Sequence, residues 1–199
     1  MDNIVEYASA GYTLPGQEES GDRHIIMPIS NGVLIAIVDG LGHGHEAAVA
    51  AKLAITNIKH HAHQYNLIGL AEYCHATLSN TRGVVMNLAK LDSLQGTMTW
   101  LGIGNVEGRL MLKTRNADFA QQTLLLRSGV VGQNLPKLLT STTRISRGDV
   151  LIFATDGIQT DFSDNLKVDG SVEDIAQYIS SHYYKKTDDA LVTVIRYMG

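Results

Sequence analysis

Two stretches of the chain are apolar at every position: Val33-Leu34-Ile35-Ala36-Ile37-Val38 and Val150-Leu151-Ile152-Phe153-Ala154. A strand without polar alternation is covered on both faces, so these two predict the middle of a layered fold. Each runs straight into Asp-Gly, at Asp39-Gly40 and at Asp156-Gly157. Asn31-Gly32, between residues 23–29 and the first apolar run, predicts a hairpin. Residues 3–10 predict a further strand, and residues 13–21, with Pro15, Gly16, Ser20 and Gly21, a loop. Residues 45–64 contain neither Pro nor Gly and carry Ala47, Ala51, Ala54, Ile55 and Ile58 at helical spacing, which predicts a well-covered helix. A second helix is predicted over residues 68–80. Strand patterns then dominate, at residues 83–91, 96–102, 109–113, 123–126 and 138–145. Ser171 with Asp174 forms a capping box for a helix whose Ile175, Ile179 and Tyr183 share a face. Residues 190–197 predict a closing strand, approached through Asp188-Asp189. No internal repeat, low-complexity tract or linker interrupts this pattern, so a single domain over residues 1–199 is expected. Many strands with antiparallel-type connections and well-separated helical blocks predict an α+β fold, with sheets packed on sheets and helices outside.

Composition narrows the function classes. Of the 199 residues, 44% are hydrophobic and 18% charged, enough to bury a core and too apolar for a disordered chain. The net charge of −4 supplies no dense Lys/Arg stripe to displace counterions, which argues against a nucleic-acid partner and suits a protein that holds divalent cations. The single cysteine, Cys74, has no internal disulfide partner, and no Cys/His zinc spacing exists, in keeping with a reducing, cytoplasmic setting. Residues 1–7 lack the basic flank and apolar stretch of a signal peptide. The longest aliphatic run falls far short of the ~20 residues that span a bilayer, so no membrane association is expected.

Candidate chemistry lies where strands end. Asp39 and Asp156 each follow a buried strand, Asp188 or Asp189 begins another, and Asp22 stands at a loop-to-strand boundary after Ser20-Gly21. At a strand terminus a loop exposes the carboxylate while the strand fixes its position. Hard cations such as Mg²⁺ and Mn²⁺ take oxygen ligands and keep several waters, so a few aspartates without cysteine suit them. Asp-Gly alone is also an ordinary turn dipeptide; the weight rests on the joint pattern and on the glycine-rich continuation after Asp39.

The ordered set Ser20-Gly21-Asp22, Val38-Asp39-Gly40-Leu41-Gly42-His43-Gly44, Ala154-Thr155-Asp156-Gly157 and Asp188-Asp189 resembles the protein phosphatase 2C (PPM) superfamily, in its bacterial SpoIIE-like branch. The resemblance spans nearly the whole chain. It implies an antiparallel β-sandwich flanked by helices on both sides, in pairs. It also implies two Mn²⁺ or Mg²⁺ ions, with Asp39 bridging both, the Gly40 carbonyl on the first, Asp156 and Asp188 on the second, and Asp22 holding a coordinated water. The implied reaction is hydrolysis of phosphoserine or phosphothreonine on a partner protein by metal-activated water, without a phosphoenzyme. Within that branch, Asn80-Thr81-Arg82-Gly83, Gly102-Ile103-Gly104-Asn105-Val106 and Lys186-Thr187-Asp188-Asp189 resemble a feedback phosphatase of bacterial stress signalling. The partners then implied are phosphorylated STAS-domain proteins of a stressosome.

The chain departs from the family pattern twice. Asn105 stands in the turn where many members place a third-metal Asp. No Arg precedes Asp22, where eukaryotic members carry a phosphate-binding arginine, and Arg23 is adjacent but opens a strand. Among rival readings, His43 and His45 as a zinc pair lack further soft ligands nearby. Residues 40–44 match neither nucleotide-binding glycine pattern. A phosphatase-like module that docks to a signalling partner without turnover is the alternative. Asp189 stays open as the ligand in place of Asp188, or as a cap of its turn.

Overall fold

The computed structural model describes residues 4–114 and 118–199. Among these residues, ten strands form two five-stranded antiparallel sheets. One sheet runs β1 (Val5–Tyr12), β10 (Ala190–Tyr197), β9 (Val150–Ala154), β6 (Glu107–Lys113), β7 (Phe119–Thr123); the other runs β2 (Asp22–Ile29), β3 (Gly32–Gly40), β4 (Val84–Asp92), β5 (Thr97–Ile103), β8 (Ser141–Arg144). Helices α1 (His45–His61) and α2 (Leu67–Thr77) cover the second sheet, and α3 (Val172–Tyr183) covers the first.

The apolar strands are central because both of their faces are buried. On β3, Ile35 and Ile37 point into the space between the sheets and meet Phe153, Leu110, Trp100 and Ile195. The alternate residues Leu34, Ala36 and Val38 pack beneath Ala50, Ala51, Ala54 and Ile58 of α1. On β9, Leu151 and Phe153 face the other sheet, while Val150, Ile152 and Ala154 face Ile175, Ala176 and Ile179 of α3. Period-two side-chain alternation thus serves two cores at once. The alanines of α1 keep its face flat enough to lie close on β3. The Asn31-Gly32 hairpin forms as expected, pairing Ile29 with Gly32. The Ser171 side chain accepts from the Asp174 amide at the start of α3.

Three expectations are corrected. The strand expected at residues 123–126 is Phe119–Thr123, an edge strand paired only with β6. The three leucines that suggested it leave the ladder: Leu124 is buried over Gly108, and Leu125 is 69% exposed. The strand expected at residues 138–145 shortens to Ser141–Arg144. The flank over β9 and β10 holds one α-helix and a single 3-10 turn, Thr160–Ser163, among the described residues instead of a helix pair. There Phe162 of that turn and Val168, on irregular chain, fill the space beside α3.

Candidate metal centre

Strand register assembles the acidic residues at one end of the sandwich. In the β2–β3 ladder Asp22 lies directly opposite Asp39. In the facing sheet the Val192–Ala154 pair of β10 and β9 sets Asp188-Asp189 next to Thr155-Asp156. The Thr155 hydroxyl ties the sheets together: Oγ1 donates to Asp22 Oδ2 at 2.7 Å and accepts from the Leu191 amide at 2.8 Å. Thr155 carried no role in the sequence reading, although it lies inside the Ala154–Gly157 motif; its signal is a hydroxyl residue between a buried strand and an aspartate.

The two Asp-Gly dipeptides use glycine for room. Neither glycine has positive φ. A Cβ on Gly40 would come within 2.2 Å of the Ala47 carbonyl oxygen, and a Cβ on Gly157 within 1.9 Å of the Asp189 carbonyl oxygen. Gly40 lets α1 close onto the end of β3. Gly157 lets the residues after Asp156 touch those around Asp188-Asp189.

The adjacent aspartates 188 and 189 differ in employment. Asp189 is buried, and both of its oxygens accept backbone amides of the residue 13–21 loop: Oδ1 from Leu14 at 2.8 Å and Oδ2 from Gly21 at 2.7 Å. Asp188 is partly exposed, and only its Oδ1 is engaged, by the Asp189 amide at 2.8 Å. Asp156 Oδ2 accepts from Asn105 Nδ2 at 2.8 Å, and Lys185 Nζ donates to the Asp156 carbonyl at 2.7 Å. The Arg23 guanidinium is turned to the Asp22 carbonyl at 2.8 Å. His43 stands near enough to Asp188 to favour its charged form slightly.

Electrostatics mark this cluster as short of positive charge. Burial, and then the charges of Asp22, Asp156, Asp188 and Asp189, push Asp39 up to about 9. Burial pushes Asp22 up to about 7, opposed by the Thr155 hydrogen bond and reinforced by Asp189, Asp156 and Asp188. Burial likewise raises Asp188. Among the described residues none of these five carboxylates is in an ion pair. Nor is any group of three or more His, Cys, Asp or Glu side chains there close enough to hold a metal ion by itself. The carboxylates fit a hard divalent cation, which binds through one or two of them and keeps its waters. An all-oxygen donor set whose members repel one another is the electrostatic complement of such an ion. Cys74 is remote from this chemistry: it is buried in the α1–α2 core, where burial pushes its thiol up to about 12.

Comparison with known proteins agrees with this architecture. The family described as stage II sporulation protein E (SpoIIE) matches residues 30–198. Phosphoserine phosphatase RsbX of Bacillus subtilis (strain 168) is 25% identical over 175 residues, covering 87% of this chain and 85% of its own. A chain solved in a study of the bacterial stressosome, a modular system adapted to control secondary messenger signalling, superposes with a TM-score of 0.86 at 27% identity, over 96% of this chain and 99% of that one. The crystal structure of RsbX in complex with magnesium superposes with a TM-score of 0.87 at 22% identity, over 99% of this chain and 97% of that one. The sandwich, the register of its aspartates and the family match over most of the sequence lead to one assignment: the chain belongs to the SpoIIE family of PP2C-type protein phosphatases.

Proposed function

We propose that this chain is a Mn²⁺- or Mg²⁺-dependent protein serine/threonine phosphatase, folded as one domain over residues 1–199. The observation that carries the reading is the Asp22–Asp39 pair, whose raised protonation reflects buried negative charge without an ionic partner among the described residues. Two divalent ions, when bound, would supply activation of water and neutralisation of phosphoryl charge. Asp39 and the Gly40 carbonyl would hold the first ion, with Asp39 shared; Asp156 and Asp188 would complete the second. The free Oδ2 of Asp188 supports that choice over Asp189, whose two oxygens already hold backbone amides. Asp22 would orient a coordinated water, and the Thr155 hydroxyl would keep the Asp22 carboxylate in place. Asn105, with its amide directed at Asp156, supports a centre of two ions and not three.

The partner would be a phosphorylated protein. The likeness to RsbX and to a stressosome chain supports phosphorylated STAS-domain proteins as substrates, and negative feedback on the general stress response as the role, in the cytoplasm. Among the described residues, no helix is long and apolar enough to cross a membrane. The test is phosphate release from a phosphoserine protein with Mn²⁺ or with a chelator. Metal-dependent release is expected, and it should be abolished in Asp39→Ala and in Asp156→Ala while both variants keep the native circular dichroism. A wild-type protein that binds the phosphoprotein but releases no phosphate would instead be the docking module without turnover.

A further inference from the structure

Two cationic side chains touch the acidic cluster, and both are committed to backbone carbonyls. Arg23 Nη1 donates to the Asp22 carbonyl, and Lys185 Nζ donates to the Asp156 carbonyl. A third cation, Arg82, lies on the segment between α2 and β4, beside the glycine-rich turn that follows Asp39. Its backbone is anchored on both sides: Gln133 Nε2 donates to the Arg82 carbonyl, and the Leu41 amide donates to the Gly83 carbonyl at 3.1 Å. Because Gly40 pairs with Val84 in the β3–β4 ladder, this anchoring sets Arg82 opposite Gly42. The guanidinium lies on that glycine, since a Cβ added at residue 42 would come within 2.7 Å of Arg82 Nη1. Gly42 is three residues from Asp39, at most about 11 Å of chain. The one ionic partner of Arg82 among the described residues is Glu46, in the first turn of α1, and the two side chains are 48% and 66% exposed.

An exposed ion pair of this kind contributes little and exchanges readily for a stronger anion. A phosphate monoester dianion is such an anion: its oxygens match the planar fork of a guanidinium in a bidentate pair that a carboxylate matches with half the charge. We propose that Arg82 is a substrate-binding residue of this phosphatase, holding the phosphoryl group of the phosphoprotein beside the metal centre, with Glu46 occupying the guanidinium between turnovers. Arg82 would thus supply the cation that the sequence lacks ahead of Asp22. The assignment rests on the phosphatase reading above.

The experiment measures KM and kcat for a phosphoserine protein, and the inhibition constant of inorganic phosphate, in wild type, Arg82→Ala, Arg82→Lys and Glu46→Gln, each with a Mn²⁺ titration and a thermal melt. Loss of charge-assisted hydrogen bonds to phosphate should raise both KM and the phosphate inhibition constant of Arg82→Ala by about tenfold or more. The Mn²⁺ midpoint should stay at the wild-type value. Arg82→Lys should recover part of the loss, and Glu46→Gln should lower the inhibition constant by releasing the guanidinium. A merely structural Arg82–Glu46 pair would make the Arg82 and Glu46 variants alike, with lower melting temperatures and unchanged phosphate inhibition, and that result overturns the proposal. A wild-type protein without metal-dependent turnover would overturn the phosphatase reading itself, and this one with it.

Discussion

Asp188 and Asp189 carry the same side chain one residue apart, and their surroundings put them to different work. Asp189 is turned to the residue 13–21 loop, where it holds two amides, while Asp188, in the bend before β10, keeps one oxygen unengaged among the described residues. Spacing alone leaves these two interchangeable, so the choice was not legible in the sequence. Asp39 and Asp156 stand out in the sequence because each ends a strand that is apolar throughout, whereas Asp22 is marked only by a loop-to-strand boundary. Asp189→Ala removes two charge-assisted hydrogen bonds, one buried and one part-buried, and should lower stability by about 3 kcal/mol, read as the melting temperature of the metal-free protein. Asp188→Ala should leave that melting temperature near wild type and remove the response of activity to added Mn²⁺. If the two variants exchanged these phenotypes, the proposed division of roles would be reversed.

At the scale of elements, the apolar pattern located β3 and β9 well because both of their faces are buried, and α1 and α3 because each buries one face against a sheet. It failed where burial is intermittent. The strand Phe119–Thr123 is an edge strand of mixed polarity, and its neighbours Leu124 to Leu126 have the apolar look of a strand without the ladder. The role of the two Asp-Gly junctions was also hidden, since a dipeptide does not reveal what approaches it. At Gly157 the approaching group is the Asp189 backbone. Gly157→Ala places a methyl group where no space exists, and overpacking of this kind costs about 1–3 kcal/mol. The strain would fall on the contact that aligns Asp156 with Asp188. The variant should therefore lose activity at temperatures well below its melting point, as seen by comparing phosphate release with the thermal melt.

For the molecule as a whole, the acidic end exchanges stability for the capacity to take up cations. Asp22 and Asp39 ionise in the folded, metal-free protein near 7 and 9, against an ordinary value of 3.8. For each, the folded state binds the proton more tightly than the unfolded chain does. Their contribution is fully present below about pH 4 and is lost as pH rises through the two folded values. The metal-free protein should melt at a lower temperature at pH 8.5 than at pH 6, once changes at other groups are matched with an Asp39→Asn control. Added Mg²⁺ or Mn²⁺, which displaces those protons, should raise the melting temperature more at pH 8.5. The two-sheet plan was foreseeable from strand count and burial; the cross-sheet bond from Thr155 to Asp22 was not, because the residues it joins are 133 positions apart. The bond between Gly21 and Asp189 is longer still, at 168 positions, and this separation bears on synthesis. A nascent chain still short of residue 188 already exposes Asp22 and Asp39, but has neither the loop clamp nor the second half of the acidic cluster. Contacts so distant in sequence close late, and a domain emerging from the ribosome at ~5–20 residues per second acquires them only after nearly all of it has been made. The domain is thus silent until its last strand has been made, and its activity begins as a consequence of finishing the fold.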